Sequence, residues 1–220
     1  MKFDFATNGD VFVEAIFTTL YMVAVALGVG GVIGLVFGLV LYLTRKGGLL
    51  QHGVVFNVLN VIINFFRPIP FIIFVAALGP LTLAVVGTSI GTNAFLFPMC
   101  IMVSMATARL VEQSLISIDP GVVEAARSMG ASTWRIVRTV LIPEALAPLI
   151  LGYTFLFVAI VDMSALAGIV AGGGLGAFAL SYGYQRFDWA ITWITVLVIV
   201  VFVQIVQFFG NWLARKSQHR

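Results

Sequence analysis

The stretch EAARSMGASTWRIVRTVLIPEA, Glu124 to Ala145, is a polar insert in an oily chain. It carries Arg127, Arg135 and Arg138, two glutamates, Gly130-Ala131 and Pro143. The runs on either side are apolar and too long for strands. Of the 220 residues, 61% are hydrophobic and 10% charged, whereas a soluble domain carries roughly 25% charged residues. The insert is therefore read as a loop between membrane spans.

Working outward, five apolar segments lie at about Ala15–Leu43, Val54–Leu78, Ala94–Leu110, Leu146–Ile169 and Trp189–Trp212. A spanning helix needs roughly 20 apolar residues. Period-two alternation is absent, so a helical bundle is expected and not a barrel. The fold class is all-α and polytopic, with one membrane domain over residues 13–208. The start does not read as a signal peptide: Lys2 is followed by Asp4, Asp10 and Glu14, and the first apolar run is too long. Cys100 is the single cysteine, which excludes an intrachain disulfide. His52 and His219 have no acidic or cysteine partner at ligand spacing, so no metal site is expected.

Charge sets the expected orientation. Arg45, Lys46, Arg127, Arg135, Arg138, Arg215, Lys216 and Arg220 follow the first, third and fifth spans, against Lys2 and Arg186 on the other side. The positive-inside rule places the N-terminus outside and the C-terminus in the cytoplasm. The outer loops are then Gly79–Asn93 and Gly172–Asp188, and the main cytoplasmic connection is Glu112–Ala145. No basic-aromatic module suggests nucleic-acid binding.

The insert parses as two short helices around a tight turn. Asp119 caps a helix that Pro120 opens, and Glu124 lies near its positive end. Ala125, Ala126 and Met129 keep that helix slim, and Gly130 stops it. A second helix begins at Ser132 or Thr133. Trp134, Val137, Val140 and Leu141 form its apolar side, Arg135 and Arg138 face elsewhere, and Pro143 breaks it before the fourth span. Two readings fit: a knob for the groove of a partner protein, or an amphipathic loop on the lipid surface.

Glu124-Ala125-Ala126, then Gly130, then Ile142-Pro143 resembles the EAA loop of ABC-importer permeases. Phe66-Arg67-Pro68-Ile69-Pro70-Phe71, Gly87-Thr88-Ser89-Ile90-Gly91, Met105-Ala106-Thr107-Ala108-Arg109-Leu110-Val111-Glu112 and Gly172-Gly173-Gly174-Leu175-Gly176 resemble the methionine-importer branch. The resemblance implies a type I importer-permease fold in the bacterial cytoplasmic membrane. It implies import of methionine or a related amino acid by alternating access, with another small amino acid or organic ion as the alternative. It also implies a second copy of the chain, two cytoplasmic ATPases and an external substrate-binding lipoprotein. Glu124, Ala125, Ala126, Arg127, Gly130, Ala131, Trp134, Arg135 and Pro143 would couple the chain to the ATPase.

No G-x-x-x-x-G-K-[ST] occurs, so this chain is expected to bind no cofactor of its own. The resemblance implies that ATP and Mg are bound by the partner ATPase. An intramembrane hydrolase would need a base near Ser164. Asp162 is close, but no histidine or lysine lies in the spans. A passive channel would leave the insert unexplained.

Three other features stand out. Gly30, Gly34 and Gly38 share one helical face, for packing within the subunit or at a subunit interface. Asn57, Asn60, Asn64 and Arg67 form a polar stripe, either part of the solute path or a set of interhelical hydrogen bonds. Asp162 is an intramembrane acid where the family usually has a small residue. Its roles open to it are to meet a solute amino group, to pair with Arg67, or to be protonated and structural. Met163 beside it reads as part of an apolar gate or as lipid-facing packing.

Overall fold

The computed structural model describes residues 5–218, with side chains described from Gly9 to Ser217 apart from Ile169. Lys2, Asp4, His219 and Arg220 lie outside the described residues.

Apolar runs become helices because a backbone N–H or C=O in hydrocarbon has no water to bond. The first run holds α1 (Phe5–Val25), a π turn (Ala26–Gly30) and α2 (Gly31–Thr44). The second apolar segment is not one helix. It divides into α3 (Gly53–Phe66) and α4 (Phe71–Ala77). Pro68 and Pro70 stand between them, each lacking a backbone donor and disfavouring helix in the residue before it. His52, unassigned by composition, caps α3: its Nδ1 accepts from Val55 N at 3.3 Å.

The expected outer loop at Gly79–Asn93 contains a further helix, α5 (Gly79–Val86). Then α6 runs Thr92–Ile116, past the expected end at Leu110, so Glu112 is helical and buried. The insert holds α7 (Pro120–Ser128) and α8 (Thr133–Ile136). The chain continues through α9 (Ile142–Ala165), α10 (Gly174–Phe178) and α11 (Trp189–Gln218). Among the described residues, four helices suit a membrane crossing by length and apolarity: Gly9–Thr44, Thr92–Ile116, Thr133–Gly168 and Trp189–Ser217. A fifth is counted if α3 and α4 form one broken span.

The chain packs as two units. Of the described residues, one comprises 5–30, 69–103 and 157–206. Its core includes Ala15, Leu175, Phe178 and Ile191, with Phe71 edge-on to Phe95 at 5.4 Å between ring centres. The glycine-rich stretch that opens the expected outer loop at Gly172–Asp188 is packed in this unit. Gly174 is buried against Met22 and Thr19, Leu175 N donates to Thr19 Oγ1 at 2.8 Å, and Thr92 Oγ1 donates to Gly172 O at 2.7 Å.

The other unit comprises residues 31–68, 104–156 and 207–218 of those described. Its larger cluster joins Tyr42 and Leu43 to Val111, Leu115 and Ile118, and both to Ala126, Ile136, Val137 and Leu141 of the insert. A second cluster ties Leu41 and Ile63 to Ala108.

The glycine face packs inside the chain. A Cβ on Gly34 would strike Thr107 Cβ and lie 2.5 Å from the Ser104 carbonyl oxygen. On Gly38 it would meet Ala108 O at 2.5 Å, and on Gly30 the Cys100 carbonyl oxygen at 2.8 Å. All of these partners belong to α6, so the glycines let backbone approach backbone.

Candidate functional site: the polar insert and the polar stripe

The insert is built by its caps. Asp119 Oδ1 accepts from Gly121 N at 2.8 Å, opening α7 with Pro120 in its first turn. Two residues past its end, Gly130 turns the chain at φ +74° with no atom within 4 Å of a Cβ built there. An L-residue is disfavoured in that conformation, so the turn selects glycine through its backbone and leaves open space around it. Ser132 Oγ then accepts from Arg135 N at 3.4 Å and starts α8.

One expectation for the insert is refined and one is corrected. Trp134, read on the apolar side with Val137, Val140 and Leu141, is 70% exposed, whereas Val137 and Leu141 are buried. The buried arc runs through Ile136, Val137 and Leu141 and leaves Trp134 beyond its edge. Pro143 does not break the helix before the fourth span, since Thr133–Gly168 is continuous. The turn just ahead of it, Val137–Leu141, is a π turn. Its wider ladder accommodates a residue that lacks a donor and whose ring would crowd a normal α turn.

The tip of the insert therefore presents Met129, 80% exposed, and Trp134 on either side of Gly130. Arg127 and Arg135 are exposed beside them, as are Glu124 and Ala125, while Ala126 is buried and Ala131 half-buried. At the base of α7 a cleft of about 90 Å³ is lined by Arg45, Gly48, Glu124 and Arg127 among others.

The polar stripe has a partner that spacing did not reveal. Arg109 on α6 donates through Nη2 to Asn60 Oδ1 and to Asn64 Oδ1, both at 2.7 Å, and through Nη1 to Glu112. Asn64 Nδ2 donates in turn to Asn60 Oδ1 at 3.2 Å. The network neutralises a guanidinium inside an apolar bundle, although Arg109 Nε is buried without a partner. Asn57 is exposed, and Arg67 is exposed beyond the last residue of α3. The available signal was Arg109 and Glu112 three residues apart within an apolar run, a pair that meets on a helix.

Asp162 and Met163 lie in the unit that holds the end of α9, and Asp162 is exposed while Met163 is half-buried. Ser164 is 2% exposed and its hydroxyl donates to Val161 O at 2.6 Å. Its hydroxyl is thus buried and bonded within its own helix, whereas the Asp162 side is open.

A polytopic helical bundle with a capped polar knob on one connection is the architecture of an importer permease. The chain belongs to the family of binding-protein-dependent transport system inner membrane components, whose model matches residues 30–219, and it has the type I importer-permease fold. It is 43% identical over 216 residues to the probable D-methionine transport system permease protein MetI of Vibrio cholerae, covering 98% of this chain and 96% of that one. It is 42% identical over 171 residues to the methionine import system permease protein MetP of Bacillus subtilis, covering 78% and 77%. Among solved structures, an inward-facing conformation of the MetNI methionine ABC transporter matches with TM-score 0.90 at 37% identity, covering 94% and 96%.

Proposed function

We propose that this chain is the membrane-spanning subunit of an ATP-driven importer for methionine or a related amino acid. Two copies form the pathway, two cytoplasmic ATPases drive it, and an external binding protein delivers the solute. The N-terminus is outside and the insert is cytoplasmic. The names of the relatives support the solute, and the loop charge bias supports the orientation.

The observation that carries the coupling role is the exposed Met129–Gly130–Trp134 tip. Large apolar side chains held on a capped, polar helix pair are what a groove-binding element presents. The ATPase groove would cover them, and Arg127 and Arg135 would meet its rim. Each ATPase closure then moves α7, whose Ala126 is anchored in the core with Val111 and Leu115.

The test is affinity purification of the tagged chain with its ATPase, followed by uptake of radiolabelled methionine into proteoliposomes. Met129→Glu with Trp134→Ala should reduce ATPase recovery at least tenfold with normal membrane yield. Undiminished recovery and uptake would remove the coupling assignment.

A further inference from the structure

Asp162 is a carboxylate in an otherwise apolar span, and nothing in the helix around it balances its charge. It lies three residues before the end of α9, in the helical stretch Thr133–Gly168. The residues one turn away are Val158, Ala159, Ala165 and Leu166, none with a side chain that bonds a carboxylate. Ser164, the nearest polar side chain in sequence, is buried and already bonded to Val161 O. Asp162 itself is exposed. Placing such a group against lipid costs about 2.5–3.5 kcal/mol at mid-membrane on an insertion scale. Such groups instead face a bundle interior or a water-filled cavity, and the exposure of Asp162 fits the second.

We propose that Asp162 is a cation-selecting station on the solute path, a water-exposed carboxylate that receives the ammonium group of an amino acid in transit. The proposal rests on the importer reading above and adds the charge class of the solute at this point. An ionised carboxylate is an acceptor only, so its complement must bring N–H donors. Ammonium and guanidinium groups fit; a solute bearing only carboxylates is repelled. A zwitterionic amino acid is therefore held here by its amino end.

The experiment uses the whole transporter, chain plus ATPase plus binding protein, in proteoliposomes. Asp162→Asn should lower uptake of radiolabelled methionine about tenfold and Asp162→Glu less, with ATPase co-purification showing that both assemble. Independently, Asp162→Cys in a Cys100→Ser background should react with a small water-soluble methanethiosulfonate, and excess methionine with binding protein and ATP should slow that reaction. Wild-type uptake by Asp162→Asn, or failure of the thiol to react from water, would overturn the proposal. Absence of methionine uptake by the unmodified transporter would count instead against the importer's assigned solute, and the labelling would still report whether position 162 meets water.

Discussion

The packing of Gly34 against α6 gives a prediction with a magnitude. Gly34→Ala adds one methyl group where the surroundings are backbone and a Cβ. The new atom would lie 2.5 Å from the Ser104 carbonyl oxygen, 3.0 Å from Ala108 N, and closer still to Thr107 Cβ. None of these is the free end of a flexible side chain, so α2 and α6 must part locally. Overpacking of this kind costs about 1–3 kcal/mol, after absorbing the gain of about 1 kcal/mol that alanine brings over glycine in a helix. Gly28→Ala is the matched control, since a Cβ there meets nothing within 4 Å. The two variants should differ by about 2–4 kcal/mol. At roughly 2–4 °C per kcal/mol for a chain of this size, Gly34→Ala should melt well below Gly28→Ala. Thermal unfolding of the purified protein in one detergent, followed by reactivity of the native Cys100 thiol, reads the difference. Equal melting temperatures would show that the seam has slack and that the close approach does not bear on stability.

Three further outcomes are expected. Gly130→Val, strained at φ +74°, should reduce ATPase co-purification more than Gly130→Asn, because asparagine tolerates the left-handed region; equal recovery for the two would refute a role for turn shape. Arg109→Met should lower the melting temperature by the equivalent of about 3 kcal/mol, the cost of leaving one member of a buried ion pair alone, and adding Glu112→Met should restore part of it; a double variant no better than the single would break the pairing argument. In a Cys100→Ser background, an impermeant thiol reagent applied to sealed cells should label Ser89→Cys and spare Ser132→Cys; labelling of position 132 from outside would overturn the orientation.

What was legible in the sequence was local. Helices over the apolar runs follow from length and hydropathy, and the insert's turn follows from Asp119-Pro120, Gly130 and Ser132, whose caps act within three residues. What was illegible was tertiary. The spacing of Asn60 and Asn64 gave a face of α3, but not the Arg109 that meets it, 49 and 45 residues away. Arg67 continued the stripe by counting, yet the helix ends at Phe66 and leaves it exposed. Pro143 obeyed its reputation as a breaker on paper, whereas a π turn one step earlier absorbed it. Spacing put Trp134 on one apolar side with Val137 and Leu141, but could not say that the buried arc centres on Ile136 and Val137 and leaves the tryptophan exposed.

The Arg109–Glu112 pair also bears on how the chain is made. Helices enter the bilayer in order during synthesis, so α3, with Asn60 and Asn64, precedes α6. Arg109 arrives with its counter-ion one turn away on the same segment, and α6 can partition as a neutral unit before any neighbour is found. The asparagines already in place then supply the bonds that fix which helix it joins. Loss of Glu112 would thus appear first in biogenesis, as chains whose third apolar segment fails to integrate, before any assembled transporter exists to be slowed.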